Sequence, residues 1–309
     1  VKVNMDRDTG DISVYVEKTV VEEVEDPATE ISLADAKMIR FHYEIGDVVN
    51  IEVTPKNFGR VAAQLAKGVV TQRIREAERS IIYGEYKEKE YDIITGTVLR
   101  EDKGNVFVNI GKLETAIGPN EQIPREKYKF NEKIKLYVVE VKNTSKGAQI
   151  IVSRTHPGLV KRLFELEVPE IYEGVVEIKS ISREAGSRSK IAVVSHDENV
   201  DPMGACVGPK GARVQNIVNE LKGEKIDIIK WSKNPEEFIE NSLSPAKVLS
   251  VTVDEDKKSA KVIVDDSQLS LAIGKEGQNV RLAAKLTNWK IDIKSKSQAE
   301  AEATEIVEE

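Results

Sequence analysis

Four glycines at fixed spacing are the residues with chemistry to do: Gly208-Pro209-Lys210-Gly211 and Gly274-Lys275-Glu276-Gly277. A glycine inside a helical stretch costs about 1 kcal/mol relative to alanine, so two of them three residues apart imply that bare backbone is needed there. Each GxxG lies between residues spaced as the end of one helix and residues spaced as the start of the next. At a helix start, unpaired N–H groups and the positive end of the helix dipole face outward, and with no Cβ in the way a phosphate can approach them. Lys210, Arg213, Lys275 and Arg281 are the nearest cations, and Pro209 and Glu276 complete the loops. A single GxxG is equally a tight turn between packed helices. A Walker phosphate loop is excluded, because neither GPKGAR nor GKEGQN has the GxxxxGK[ST] spacing or the hydroxyl.

Repetition separates these readings. With the two GxxG loops aligned, KIAVV at Lys190 to Val194 matches KVIV at Lys261 to Val264, and IDI recurs at Ile226–Ile228 and Ile291–Ile293. Both copies read as strand, strand, short helix, GxxG, helix, strand, each preceded by a helical stretch. Two accidental turns in the same place of two repeats are a poor explanation. The order resembles the prokaryotic variant of the KH domain, whose GxxG loop clamps about four nucleotides of single-stranded RNA.

Other elements must position the repeats. Tyr91 to Arg154 read as five short strands with turn punctuation, which suggests a small barrel of the five-stranded OB-fold type. The glycine of ITGTV, the VFV run and the closing IIVSRT resemble the ribosomal-protein type of OB-fold. Phe107 stands where that family places a stacking aromatic, with Tyr137, Arg154 and Lys112 as lesser candidates; Phe107 is alternatively barrel core. Upstream, Phe58, Val61, Leu65, Val69, Val70, Ile74, Ala77 and Ile81 approximate the stripe of one long helix. The head, DRDTGDISVYVEKTVVEEV, reads as a hairpin turning at DTGD.

Charge is unevenly spread. Residues 1–55 carry −8 and residues 298–309 carry −5, so with −7 overall the span 56–297 carries +6, compatible with a polyanion partner in the middle. One cysteine, Cys206, rules out an internal disulfide, and His42, His156 and His196 are too scattered for a metal set. No acid–base pair or nucleophile motif stands out, and no apolar run has the length of a membrane span. These features point to a non-enzymatic, cytoplasmic chain without cofactor, metal or membrane contact.

The whole order, with EIGDVVNIEVTPKNFGRVAAQ, QRIREAER, VSRTHPGLVKRLFELEVPEIYEG and the two GxxG loops, closely resembles the NusA family of bacterial transcription elongation, termination and antitermination factors. The resemblance implies an α+β multidomain fold. It places a polymerase-binding acidic α/β head and long linker helix at 1–90, an OB-fold RNA-binding barrel at 91–155, and tandem prokaryotic-type KH domains at 156–232 and 233–295. Residues 296–309 are expected as a disordered acidic tail. The family usually opens with a helical segment before the hairpin, so the head is expected to lack it. The resemblance implies RNA contact at Gly208, Lys210, Gly211, Gly274, Lys275 and Gly277, and at Phe107 and Arg154. It further implies RNA polymerase, nascent single-stranded RNA and other Nus factors as partners of a monomer. A ribosome-associated or RNA-degradation-associated RNA-binding protein is the alternative.

Overall fold

A computed structural model of the chain describes residues 1–6, 12–54, 58–145 and 147–301. The chain divides into two compact units, Val1–Glu78 and Arg79–Glu309. In the first, β1 (Lys2–Met5), β2 (Ile12–Val21), β3 (Glu30–Ser32), helix α1 (Leu33–Ile39) and β4 (Val48–Glu52) build a small α/β head. Strands β1 and β4 pair antiparallel with β2 and β3 pairs parallel with it. Val20, Ala36 and Val49 form a small core beneath α1. The expected hairpin is β1 with β2, while its DTGD turn falls outside the described residues.

Helix α2 (Phe58–Lys87) is the long helix that the sequence predicts. Its apolar stripe does not become core, however: Leu65, Val69, Val70, Ile74 and Ile81 are all exposed. Its last turns, within the second unit, behave differently. Tyr86 is buried and its hydroxyl donates to the Ile110 carbonyl at 2.8 Å.

That carbonyl belongs to the barrel of β5 (Ile93–Asp102), β6 (Asn105–Asn109), β7 (Glu114–Ile117), β8 (Lys133–Thr144) and β9 (Gly147–Ser153), in order β7-β6-β5-β8-β9 and antiparallel throughout. The Thr115 hydroxyl of β7 donates to the Ile150 carbonyl of β9 at 2.6 Å and nearly closes the barrel. Alternation along each strand sends Val98, Val106, Val108, Leu136, Val138 and Ile150 inward. At about 1.5–3 kcal/mol per buried aliphatic side chain, this packing drives closure. A Cβ on Gly96 of ITGTV would lie 2.7 Å from Leu136 Cδ1 and 3.3 Å from Val108 Cβ, so any larger residue there would have to displace the Leu136 side chain.

Two repeats follow. The first comprises α3 (Pro157–Glu167), α4 (Pro169–Tyr172), β10 (Val176–Glu184), β11 (Arg188–Ser195), α5 (Pro202–Val207), α6 (Ala212–Glu220) and β12 (Lys225–Lys230). The second comprises α7 (Pro235–Ser242), β13 (Val248–Asp254), β14 (Ser259–Val264), α8 (Leu269–Ile273), α9 (Gln278–Thr287) and β15 (Lys290–Ser295). Each sheet has one antiparallel and one parallel pairing, β10-β11-β12 and β13-β14-β15. Residues 296–301, expected to begin a disordered tail, are helical, with the Ser297 hydroxyl bonded to Asp266. Residues 302–309 lie outside the described residues.

Arg154 corrects an expectation. Its side chain is 0% exposed and cannot reach RNA. It donates to both Glu126 carboxylate oxygens (2.8 and 2.5 Å), to the Lys135 carbonyl (2.6 Å), and to the Glu220 carboxylate (3.3 Å) and carbonyl (3.1 Å). All five guanidinium N–H groups are thereby engaged. Glu126 lies in the barrel and Glu220 at the C-terminal end of α6, so this cation fastens the barrel to the first repeat. Ile123, from a barrel loop that reads as polar, plugs into the repeat's core beside Leu159 and Phe164. Tyr137 is likewise buried, stacked on His156 with ring centroids 4.6 Å apart.

Replacing Arg154 by Ala leaves Glu126 buried without a counter-charge, and removing one partner of a buried pair costs about 3–5 kcal/mol. Denaturant unfolding of the full chain should show that loss; a loss below about 1 kcal/mol would contradict the arrangement. A pH dependence follows from His156, whose Nδ1 accepts from the Gly158 N–H at 3.0 Å and caps α3. Burial, reinforced by the Arg183 charge and partly opposed by Glu121, lowers its pKa from 6.5. The neutral ring therefore stabilises the fold above the unfolded pKa, and that contribution fades as pH falls below about 6.5. The stability gap between the native chain and His156→Asn should narrow from pH 7.5 to pH 5 in parallel melts, and a pH-independent gap would refute it.

Candidate nucleic-acid interface

Both GxxG loops are built the same way from backbone upward. Helix α5 ends at Gly208 (φ 70°, ψ 176°), whose N–H donates to the Gly204 carbonyl at 2.9 Å. Helix α8 ends at Gly274 (φ 77°, ψ 170°), whose N–H donates to the Ser270 carbonyl at 2.9 Å. This is a backbone region that essentially only glycine enters. The third loop residues, Lys210 and Glu276, both sit at φ 53°. Gly211 (φ 76°, ψ 13°) and Gly277 (φ 73°, ψ 16°) are left-handed N-caps of α6 and α9, and neither helix has a side-chain cap. The uncapped N–H groups and the positive helix end therefore remain for an anionic ligand.

Space matters as much as dihedral angle. A Cβ on Gly208 would lie 2.6 Å from Arg213 Cγ, and one on Gly274 would lie 2.7 Å from the Asn279 nitrogen. In contrast, no atom lies within 4 Å of a Cβ placed on Gly211. The first glycine of each loop thus faces the fold and the second faces solvent.

Arg213 was expected at a phosphate, but it braces the loop from beneath. It donates to the Ala205 carbonyl at 2.6 Å and to Glu170 at 2.9 Å. Asn279 occupies the matching position of the second loop and donates to the Leu271 (3.4 Å) and Ala272 (3.0 Å) carbonyls. Pro209, Lys210, Lys275 and Glu276 are exposed on the loops. Arg281 is partly exposed, with its Nε 2.6 Å from Glu184 of the first repeat and one terminal nitrogen 3.1 Å from the Glu276 carbonyl.

Sequence reading missed the apolar partners of these loops. Val207 and Ile273, immediately before the first glycines, are each 36% exposed, and Leu271 is 44% exposed. Open apolar side chains beside a phosphate cradle provide surfaces on which bases can rest. A groove of about 520 Å³ runs along the edge strand β12, lined by Met203, Ile228, Ile229 and Lys230 of the first repeat and by Glu240, Asn241 and Lys247 of the second. The signal available in sequence was the apolar residue directly before each GxxG.

On the barrel, Phe107 lies between the buried Val106 and Val108 and therefore points outward, which excludes the core reading. The Arg100 guanidinium covers its ring at 4.3 Å and is itself held by Glu114 at 2.6 Å. Lys112 is paired with Glu85 at 2.6 Å. Cys206 is buried, which pushes its thiol up to about 12, so it stays protonated and inert. Among the described residues, no group of three or more His, Cys, Asp or Glu side chains could hold a metal ion, and no helix is long and apolar enough to cross a membrane.

Comparison with known proteins points to one family. Family models match residues 1–80 as a NusA N-terminal domain, 154–231 as a NusA-like first KH domain and 235–301 as a NusA-like second KH domain. The chain is 61% identical over 300 residues to the transcription termination/antitermination protein NusA of Halalkalibacterium halodurans, covering 97% of this chain and 78% of that one. It is 61% identical to the Bacillus subtilis protein of the same name, covering 97% and 81%. Identity to the Thermus thermophilus protein of that name is 49%, covering 94% and 76%.

The unequal roles of the two glycines make a stability prediction. Gly274→Ala forces a Cβ against the Asn279 backbone in a glycine-only region and should cost about 1–3 kcal/mol. Gly277→Asn, left-handed with its nearest neighbour 4.0 Å away, should cost less than about 1 kcal/mol. Equal losses for the two variants in chemical denaturation would contradict the loop geometry.

Proposed function

Because the chain belongs to the NusA family of transcription termination/antitermination proteins, we propose that it acts on RNA polymerase by holding the emerging transcript in its paired GxxG loops. The observation that carries this reading is the repetition of one backbone cradle, with matched dihedral angles and uncapped helix ends, in two packed KH units. Each cradle suits a sugar–phosphate backbone. The flanking Val207 and Ile273 suit bases, and neither feature demands a particular sequence. Lys210 and Lys275 supply the exposed charge, and Phe107 a further stacking surface on the barrel once Arg100 moves aside.

The head is the surface for polymerase in this reading. Met38 is 86% and Phe41 88% exposed, with Ile39 and Ile45 also exposed, and together they make the kind of apolar patch that a protein partner covers. Retaining RNA near its exit prolongs pauses and favours hairpin formation, which promotes intrinsic termination; other Nus factors redirect the same complex toward antitermination. The chain works in the cytoplasm as a monomer and catalyses no reaction. The ribosome-associated and RNA-degradation alternatives draw no support from the relatives.

Single-round transcription by purified bacterial RNA polymerase on a hairpin terminator template tests this reading. Adding the chain should lengthen the hairpin pause and raise termination. Phe41→Glu should abolish both effects while leaving RNA affinity within about twofold, since an exposed substitution perturbs the fold little. Unchanged pausing and termination, at a concentration where the chain binds RNA, would overturn the proposal.

A further inference from the structure

A second polar cleft, of about 460 Å³, lies where the barrel, the first KH unit and the second GxxG loop meet. Its walls are Pro124 and Arg125 of the barrel loop, Ser187 of the turn between β10 and β11, and Lys275, Glu276 and Arg281 of the second KH unit. The volume falls within the range that encloses a small ligand. Three cations and the Glu184 and Glu276 carboxylates line it. Glu184 is already neutralised by Arg281 at 2.6 Å, and that hydrogen bond holds its carboxyl below the usual carboxylate range. Among the described residues, Arg125 and Lys275 have no ion-pair partner, and both are exposed.

The walls are fixed in advance of any ligand. Gln278 donates to Glu184 at 2.8 Å and to the Ser187 hydroxyl at 2.7 Å, tying the start of α9 to the first KH unit. Gly186 presses the same turn onto the barrel loop so closely that a Cβ there would lie 2.7 Å from Ile123 Cγ2 and 3.2 Å from the Pro124 carbonyl. Three modules therefore frame one opening, with unpaired positive charge from the barrel on one side and from the GxxG loop on the other.

We propose that this cleft is an additional nucleotide subsite, in which a phosphate adjacent to those held by the second GxxG loop lies between Lys275 and Arg125. RNA would then pass from the second KH unit onto the barrel without leaving a positively charged surface. The inference rests on the RNA-binding reading above and adds to it a residue, Arg125, that no sequence motif marks.

The test compares the full native chain with Arg125→Glu and Arg125→Lys, using single-stranded RNAs of about four and about sixteen nucleotides, the shorter sufficient for one GxxG loop. For the longer RNA, Arg125→Glu should weaken binding about five- to tenfold and reduce the salt slope by about one, as loss of one phosphate contact does. Arg125→Lys should keep native affinity, and the shorter RNA should bind all three chains alike. The longer RNA carrying thiouridine should cross-link to the peptide holding Pro124 and Arg125. Unchanged affinity and slope with Arg125→Glu, or cross-links confined to the KH helices, would overturn the subsite while leaving RNA binding intact. Failure of the native chain to bind either RNA would overturn the underlying reading as well.

Discussion

The five donors of Arg154 decide how the RNA-facing half of the molecule is organised. A buried guanidinium is tolerated only when every N–H finds an acceptor, because an unpaired buried charge costs several kcal/mol. Here the acceptors come from the barrel loop, a barrel strand and the last turn of α6. The α6 contribution includes a C-terminal carbonyl, where the helix dipole favours a cation. Two residues later His156 caps α3, and its carbonyl accepts from Arg183, which is itself buried against Glu224 at 2.9 Å. The short SRTHP segment thus sets the relation of barrel to KH unit through charges that leave no alternative partner.

The second KH unit is held to the first by apolar packing and by polar bonds. Ala192, Ile229, Phe238 and Leu286 form one cluster drawn from both units. Lys190, wholly buried, donates to Asp227 at 3.0 Å and to the Ser244 carbonyl at 2.7 Å. The two GxxG cradles are therefore presented at a fixed separation. Their charge is not repeated with their shape: one loop carries Pro209-Lys210, and the other Lys275-Glu276. The second loop is neutral overall, which makes additional cations from outside the repeat useful there.

Much of this was legible in the sequence for a physical reason. Alternation over VFVNI and IIVS, and the helical spacing of Val214, Ile217 and Leu221, are local signals, since burial of one face dictates them directly. Glycines at φ near +75° are equally local. What escaped reading depends on partners far along the chain. Arg154 looked like a surface cation because Glu126 and Glu220, 28 and 66 residues away, are invisible as its partners from composition. The Glu170 partner of Arg213 lies 43 residues away and the Glu184–Arg281 bridge spans 97, so both pairings are equally hidden from local pattern. The stripe on α2 marks a helix without marking burial, because periodicity reports a face without reporting what covers it.

The most direct measurement is the affinity of single-stranded RNA for the native chain, for Gly211→Asp, for Gly277→Asp and for the double variant, with folding verified by circular dichroism. Both sites have open space at the Cβ position, so an added carboxylate meets the ligand rather than the fold. If the two cradles grip phosphate together, each single change should weaken binding about tenfold or more, and the double variant should retain only the residual, salt-sensitive attraction of scattered cations. Native affinity in a folded double variant would contradict the account.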